Sequence, residues 1–373
     1  MLKHFENGFY QVGDTWTSKN KYRAVLHAVE NNLPLHWNFN DELYDTVPWE
    51  IEPIESLKEL YKQRALEIRD AYEYVAIAYS GGVDSHNVLM AFIDNNIPFN
   101  EVISFQHLPE GSYTASTTKD LRNISSERDY VIRPTLKMIA EKYPSVKIST
   151  DYSWVQEFVN DFDSGKLKKL NPGEHLDIGV VMSANYRFGV DKNKLFRDVY
   201  NKSGATIVFG VDKPRILYNK NVNSYVFEFT DTNVHLSSAS SFEEGYSSTF
   251  FYWGDTVIAT QLMRKQCHTI LSSVSTVHSD GRVVYDDNLI YPHSVAFSVG
   301  KGALGSKFSS QNAVLTTLND LKYFNYVQYL TLAEKEASKS LFGQYNNQWQ
   351  NDIKLPGALK RVNSKQRVLK RLD

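Results

Sequence analysis

Hydrophobic positions along the chain change period several times, and each change marks an element. Leu57, Leu60, Tyr61, Ala65, Ile68 and Tyr72 recur at helical spacing, with Ser56 and Glu59 as a capping box at their head, which predicts a helix over about 57–72. YVAIAYS (74–80) follows as an apolar run without polar alternation, the pattern of a strand buried on both faces of a parallel sheet. After two glycines, Val88, Leu89, Phe92 and Ile93 share one helical face, and Asn95, Asn96 and Pro98 stop that helix. EVISFQ (101–106), VKIST (146–150) and TIVFG (206–210) predict further buried strands, separated by helical stretches near 125–143, 153–163 and 183–202.

Beyond these units the pattern alters. RILY (215–218) and SYVFEF (224–229), joined by the Asn-rich NKNVN, predict a hairpin. HLSSASSFEEGYSS (235–248) is rich in Ser and Gly and reads as a mobile loop, and a helix over about 257–273 follows it. The first 50 residues are aromatic and polar with no clear period, and the chain is mixed again from about 280. Strands alternating with helices predict an α/β fold, a doubly wound parallel sheet with N- and C-terminal additions. The expected division is an extension over 1–55, the α/β domain over 56–275 and a substrate or interaction region over 276–373.

Composition narrows the chemistry. Of the 373 residues, 42% are hydrophobic and 23% charged, which is ordinary for a globular protein, and a net charge of −2 supplies no global field toward nucleic acid or an anionic membrane. The single cysteine, Cys267, excludes an internal disulfide, a four-cysteine zinc site, a cysteine-ligated iron–sulfur cluster and a Cys-x-x-Cys relay. Cys267 and His268 are adjacent, so on a helix they diverge by about 100° and do not share a metal, and Cys267 is expected in the core. No Gly-x-Ser-x-Gly elbow is present, which argues against a serine hydrolase. With neither an apolar leader in MLKHFENGFY nor a run of about 20 apolar residues, the expectation is a soluble, cytoplasmic protein without a membrane partner.

The residues that carry chemistry are Ser80-Gly81-Gly82-Val83-Asp84-Ser85. They stand where a strand ends and a helix begins, the place at which a doubly wound sheet binds ligands. Gly81 and Gly82 permit close approach, successive amides converge on an anion at the helix N-terminus, and Ser80 and Ser85 add hydroxyl donors. Asp84 would repel bare phosphate, so its presence points to Mg²⁺ bridging carboxylate and phosphates. The string is not a Walker A loop. Five fixed residues at ordinary usage arise by chance on the order of once per thousand chains. A second patch, TIVFGVDKPRI, ends a strand with Gly210, Asp212, Lys213 and Arg215. Asp212 is a candidate second metal ligand, and Lys213 or Arg215 a candidate for offsetting developing charge; a solvated turn holding an ion pair accounts for them equally well. Lys265 is a further candidate for that task or a surface lysine.

The Ser-Gly-Gly-x-Asp-Ser string resembles the PP-loop of the N-type ATP pyrophosphatases, the adenine nucleotide alpha hydrolase-like superfamily. That superfamily includes the synthetase domains of asparagine, GMP and NAD synthetases, the deazaguanine nitrile synthases and the tRNA lysidine synthetases. The resemblance implies that residues 80–85 hold the pyrophosphate of ATP with Mg²⁺. It also implies that a substrate oxygen is adenylated with release of pyrophosphate, and that a nitrogen nucleophile then displaces AMP. It implies an adenine site near the ends of the first two strands, where Phe105, Gln106 and His107 are positional candidates, although packing accounts for Phe105 as well. The asparagine synthetase-like branch carries Gly-x-Asp-Glu where this chain has Gly-Val-Asp-Lys, with Lys213 at the last position. Leu2 stands where glutamine-dependent members carry a cysteine, and the loop begins at residue 80 with no glutaminase domain before it, so the amine is expected from solution, the substrate or a partner chain. A single cysteine also disfavours persulfide chemistry.

Three alternatives stay open. The loop serves a non-catalytic ATP-binding module; or the chain modifies a nucleic-acid base, aided by the seven basic residues of its last 20; or those residues form a solvated helix face. Gly300-Lys301-Gly302-Ala303-Leu304-Gly305 satisfies Gly-x-Gly-x-x-Gly but lacks a surrounding βαβ unit, and reads as glycines in a turn.

Overall fold

The computed structural model describes residues 9–18, 24, 27–28, 30–105, 131–151, 194–210, 215–229, 248–279, 281, 283–285 and 364–372. In chain order the first elements are β1 (Phe9–Val12), β2 (Trp16–Ser18), β3 (Leu35–Asn38), α1 (Asp41–Tyr44), α2 (Leu57–Ala71), β4 (Tyr74–Ala78), α3 (Val83–Ile93) and β5 (Glu101–Phe105). Next come α4 (Arg133–Lys142), β6 (Lys147–Asp151), α5 (Lys194–Tyr200), β7 (Ala205–Phe209), β8 (Arg215–Asn219) and β9 (Ser224–Glu228). The last are β10 (Ser248–Phe250), α6 (Val257–Ser272), β11 (Val274–Val277), β12 (Val283–Tyr285) and β13 (Arg367–Arg371).

The apolar runs form a five-stranded parallel sheet in the order β10-β7-β4-β5-β6, flanked by helices. This α/β arrangement is compatible with a Rossmann-like fold. From central β4 the chain steps outward through β5 and β6, then returns to place β7 on the opposite side of β4. The strand order therefore reverses between β4 and β7, the crevice where open α/β sheets bind ligands. β4 and β7 are in register from Tyr74↔Ala205 to Ala78↔Phe209, and their interiors are buried on both faces, as the unalternated sequences require. Ser56 caps α2 by accepting from the Glu59 amide at 3.1 Å. Far from the carboxyl ends of the strands, buried Glu101 is held by Lys147 (3.0 Å), the Tyr74 hydroxyl (2.7 Å) and Ser149. That set pins β4, β5 and β6 at their starts.

Three segments differ from the sequence expectation. Near the N-terminus, β1, β2 and β3 form an antiparallel sheet, β2-β1-β3, whose short strands carry too few positions to show a period. Ser248, at the end of the Ser- and Gly-rich stretch, begins β10, an edge strand of the main sheet; residues 235–247 lie outside the described residues. The described part of the basic tail, 364–372, holds a strand rather than a helix face: β13 joins the predicted hairpin to give the sheet β13-β9-β8, while Lys354, Lys360 and Arg361 lie outside the described residues. Its charges meet acids of the N-terminal segment. Arg367, buried, bonds Asp41 at 2.6 Å and approaches Asp45 at 3.5 Å; Lys365 bonds Asp45 at 2.6 Å and Arg371 bonds Glu50 at 3.2 Å. The expected stretch 153–163 and the Gly300–Gly305 segment lie outside the described residues. Among the described residues no helix is long and apolar enough to cross a membrane.

An aromatic layer joins these parts. Phe39 packs on Phe229 (4.7 Å between ring centroids) and Trp253 (4.8 Å), Trp49 on Phe227 (4.5 Å), and Trp253 stacks on Phe250 (4.2 Å). Its backbone partner is Arg64 of α2, wholly buried, whose guanidinium donates to the carbonyls of Phe250 (2.9 Å), Phe251 (3.1 Å) and Trp253 (3.4 Å) and also meets Glu67. Cys267 is buried in α6, as its sequence context suggests, and burial pushes its thiol well up.

Two outcomes follow from these contacts. Arg64→Met keeps the bulk but strands three inward-facing carbonyls, so urea unfolding should show a loss of at least about 3 kcal/mol; Glu67→Gln leaves the guanidinium its carbonyls but removes its counter-charge, and should cost about 1–3 kcal/mol. For Asp41, burial alone would raise the carboxyl, but the bonds from His36 and Arg367 outweigh it and hold it below its ordinary value. A folded-state value below the unfolded one stabilises fully above the unfolded value and is lost as pH falls through the folded one. Asp41→Asn should therefore destabilise the protein at pH 7, and its difference from wild type should close as pH is lowered below about 4.

Candidate functional site

β4 ends at Ala78, and the chain crosses Tyr79 and Ser80 before α3 begins at Val83. Tyr79 is wholly buried and its amide still bonds the Ile103 carbonyl (2.7 Å), so the chain leaves the sheet at Ser80. Gly81 makes the turn at φ +78°, a left-handed conformation that costs a residue with a side chain about 1–2 kcal/mol. Gly82 is the N-cap of α3 at φ −68°, ψ 157°, and no side chain caps the helix. The first turn of α3 thus presents its amides at the switch point of the sheet, with Asp84 among them.

The two serines shape the loop from within. The Ser85 hydroxyl, buried, lies 3.2 Å from the Ser80 amide, 3.1 Å from the Ser80 hydroxyl and 3.0 Å from the Gly82 carbonyl, to which it donates. The Ser80 hydroxyl, on the exposed side, accepts from the Gly82 amide at 3.3 Å. Val83 supplies the first residue of α3.

Gly210, the residue after β7, closes the site from the neighbouring strand. A Cβ placed on it would stand 2.8 Å from the Asp84 carbonyl oxygen, 2.9 Å from its carbon and 2.9 Å from the Ser85 Cα, so only glycine lets β7 and the head of α3 come this close. The same carbonyl accepts from the Tyr252 hydroxyl at 2.7 Å. Tyr252 and Tyr61 are buried beside the loop with ring centroids 6.1 Å apart. Burial first, with the Asp84 carboxylate adding to it, raises both phenols, so they remain protonated donors. On α3 itself, His86 Nδ1 lies 3.0 Å from the Tyr79 hydroxyl, which also donates to Thr135 of α4 at 3.1 Å. Burial lowers the His86 pKa and so favours the neutral ring, while the Asp94 carboxylate opposes the shift.

Of the sequence-predicted residues, Ser80, Gly81, Gly82, Val83, Asp84, Ser85 and Gly210 come together here. Phe105 ends β5, paired in register with Asp151. Arg215 opens β8 and lies 3.8 Å from Glu228. Lys265 is engaged elsewhere: its Nζ bonds Glu52 Oε1 (2.7 Å) and the Pro53 carbonyl (3.0 Å), anchoring the approach to α2. Gln106, His107, Asp212 and Lys213 lie outside the described residues. Among the described residues no group of three or more His, Cys, Asp or Glu side chains is arranged to hold a metal ion. Magnesium commonly takes only one or two carboxylates and draws its other ligands from water and phosphate oxygens, so a site built on Asp84 fits that ion. Tyr61, Tyr79, Tyr252, His86 and Thr135 belong to no motif; only the aromatic run Phe250-Phe251-Tyr252-Trp253 marks one of them in the sequence.

Fold and site together define an α/β protein with a parallel sheet and a glycine-turned strand–helix loop at its switch point. Comparison adds no family to that class: no protein-family model and no curated protein matches the chain.

Gly210→Ala should cost about 1–3 kcal/mol in denaturant unfolding, because its Cβ must displace the backbone of α3. Gly82→Ala should cost much less, since its φ suits any residue and its Cβ would meet only the Ser80 hydroxyl at 3.4 Å. Equal losses at the two positions would refute the close approach as the reason for glycine at 210.

Proposed function

We propose that the chain is an ATP-dependent adenylating enzyme of the PP-loop type, with the nucleotide domain of that superfamily as its fold. The observation that carries the reading is the loop itself: a helix N-terminus without a side-chain cap, entered through Gly81 and Gly82 at the sheet's switch point, with Asp84 in its first turn. Ser80, Gly81, Gly82, Val83, Asp84 and Ser85 hold the pyrophosphate portion of ATP. The amides after Gly82 and the Ser80 hydroxyl donate to its oxygens, while Ser85 keeps the turn closed from beneath. Bound magnesium supplies positive charge to the phosphates, and Asp84 is the side chain here that would hold it, with Asp212 as a second carboxylate. Lys213 is assigned to offset charge on the leaving pyrophosphate. Phe105, which ends β5, and Gln106, the next residue in sequence, are assigned to the adenine side. Lys265, committed to Glu52 and Pro53, has no part in this proposal.

In the proposed reaction an acyl, carbonyl or amide oxygen of a small-molecule substrate attacks the α-phosphorus. The bond from that phosphorus to the α–β bridging oxygen breaks, and pyrophosphate leaves with the electron pair. A nitrogen nucleophile, from ammonia or an amine donor, then attacks the activated carbon, AMP leaves with the C–O bond pair, and the nitrogen loses its proton to water. The ion pairs of Lys365, Arg367 and Arg371 with N-terminal acids leave less of the basic tail for nucleic acid, which favours a small-molecule substrate.

Incubation with ATP, Mg²⁺ and a metabolite extract, followed by identification of the nucleotide products, tests this. AMP and pyrophosphate are expected, with the rate falling at least about a hundredfold in Asp84→Ala. ADP and phosphate would show that a different bond is cut. ATP bound without turnover would identify a binding module instead.

A further inference from the structure

The Asp84 carbonyl is where the rest of the molecule meets the loop. A carbonyl in the first turn of a helix already accepts from the amide four residues on. This one also receives the Tyr252 hydroxyl at 2.7 Å and is crowded by the Gly210 backbone. Tyr252 does not reach it as a mobile side chain. Its ring is fully buried against Tyr61 and Phe251, and the backbone on either side of it is captured. Arg64 holds the carbonyls of Phe250, Phe251 and Trp253, and the Tyr44 hydroxyl holds that of Gly254 at 3.0 Å. Tyr44 is fixed in turn by the Trp49 indole, which donates to its carbonyl at 2.6 Å. Residues 250–254 therefore form a strap in which the carbonyls on both sides of Tyr252 are claimed by side chains of α1 and α2 and the Tyr252 phenol bonds α3.

We propose that Tyr252 is a positioning residue of the loop, whose hydroxyl, held by the 250–254 strap, sets the first turn of α3 and with it the placement of the Asp84 carboxylate. It acts through Asp84 and touches no ligand itself. The inference rests on the nucleotide reading of the loop and adds to it the part of the chain that fixes the loop's geometry. No motif marks Tyr252, which lies 168 residues from Asp84.

Tyr252→Phe keeps the ring and removes only the hydroxyl. The purified full-length variant is compared with wild type by thermal midpoint, by amide exchange across residues 83–88 without ligand, and by ATP binding followed by tryptophan fluorescence through a magnesium titration. Exchange across 83–88 is expected to quicken while the midpoint moves by only a few degrees. The magnesium needed for half-maximal ATP binding is expected to rise about tenfold, with ATP affinity at saturating magnesium within about twofold of wild type. A hydroxyl that served packing alone would weaken ATP binding equally at every magnesium concentration, and that result overturns the proposal. An unchanged magnesium titration overturns it too, while leaving the nucleotide reading intact. Wild type that binds no ATP at any magnesium concentration overturns both. Should Tyr252→Phe not fold, Gly210→Ala, which presses on the same carbonyl, is read by the same titration: a magnesium shift supports the proposal and its absence overturns it.

Discussion

One buried guanidinium organises the surroundings of the loop. Arg64 sits in the middle of α2 with no exposure and bonds the carbonyl of Phe250, where β10 ends, and those of Phe251 and Trp253 just beyond it. Desolvating such a cation costs several kcal/mol, and the cost is offset only because every direction of its planar fork finds an acceptor and Glu67 balances the charge. A lysine could not serve three carbonyls in this spread, since it is a point charge rather than a fork. With Phe250, Phe251 and Trp253 held by their backbones, their rings become fixed surfaces. Of the N-terminal aromatics, Phe39 packs on Trp253 and Phe229 and Trp49 on Phe227, while Tyr44 meets both Phe39 and Trp49 edge-on.

The N- and C-terminal additions are closed onto this layer by charge as well as by rings. Arg367 enters on β13 with its guanidinium beside the Tyr44 ring (5.2 Å) and its charge on Asp41. Lys365 and Arg371 flank it on Asp45 and Glu50. The exposed pairs contribute little, typically under about 1 kcal/mol each, while the buried Arg367–Asp41 pair fixes register: a slipped β13 would bury a cation without its acid. Three cations of the basic tail, Lys365, Arg367 and Arg371, are thus met by acids more than 300 residues earlier in the chain.

The parallel sheet was legible because both of its faces are covered. YVAIA and ATIVF carry no polar alternation, and a short β-branched run of that kind suits a strand with no solvent face. The cap at Ser56 and the hairpin around 219–224 were legible for equally local reasons. What escaped is short or non-local. β10 is three residues, Ser-Thr-Phe, and its strand character comes from pairing with β7 rather than from its own composition. β13 looks cationic because Arg367, Lys370 and Arg371 are three of its five residues, and nothing in its sequence says that Arg367 turns inward to an acid near the N-terminus. At the site, the motif identified residues 80–85 and the strand-end pattern identified Gly210. Tyr79, His86 and Thr135 meet because the Tyr79 hydroxyl bridges α3 and the head of α4, which spacing along the chain does not encode.

A six-residue string specifies what a loop can donate; it does not specify how firmly the donors are held. Gly81 supplies a turn and Gly82 an open cap, but both also leave the backbone free in the unfolded chain, so the string by itself is the most entropically costly part of the site to order. Order has to come from contacts outside it. The Ser85 hydroxyl provides some of them at short range, bridging Ser80 and Gly82. Further contacts reach the Asp84 carbonyl, where Tyr252 donates from the strap that Arg64 holds and Gly210, just after β7, leaves no room for a Cβ. The strand order requires this arrangement: at a switch point the strand next to β4 leads away on the other side of the sheet, so no βαβ neighbour covers the loop from that direction. Here the gap is closed by an aromatic segment that follows the last parallel strand.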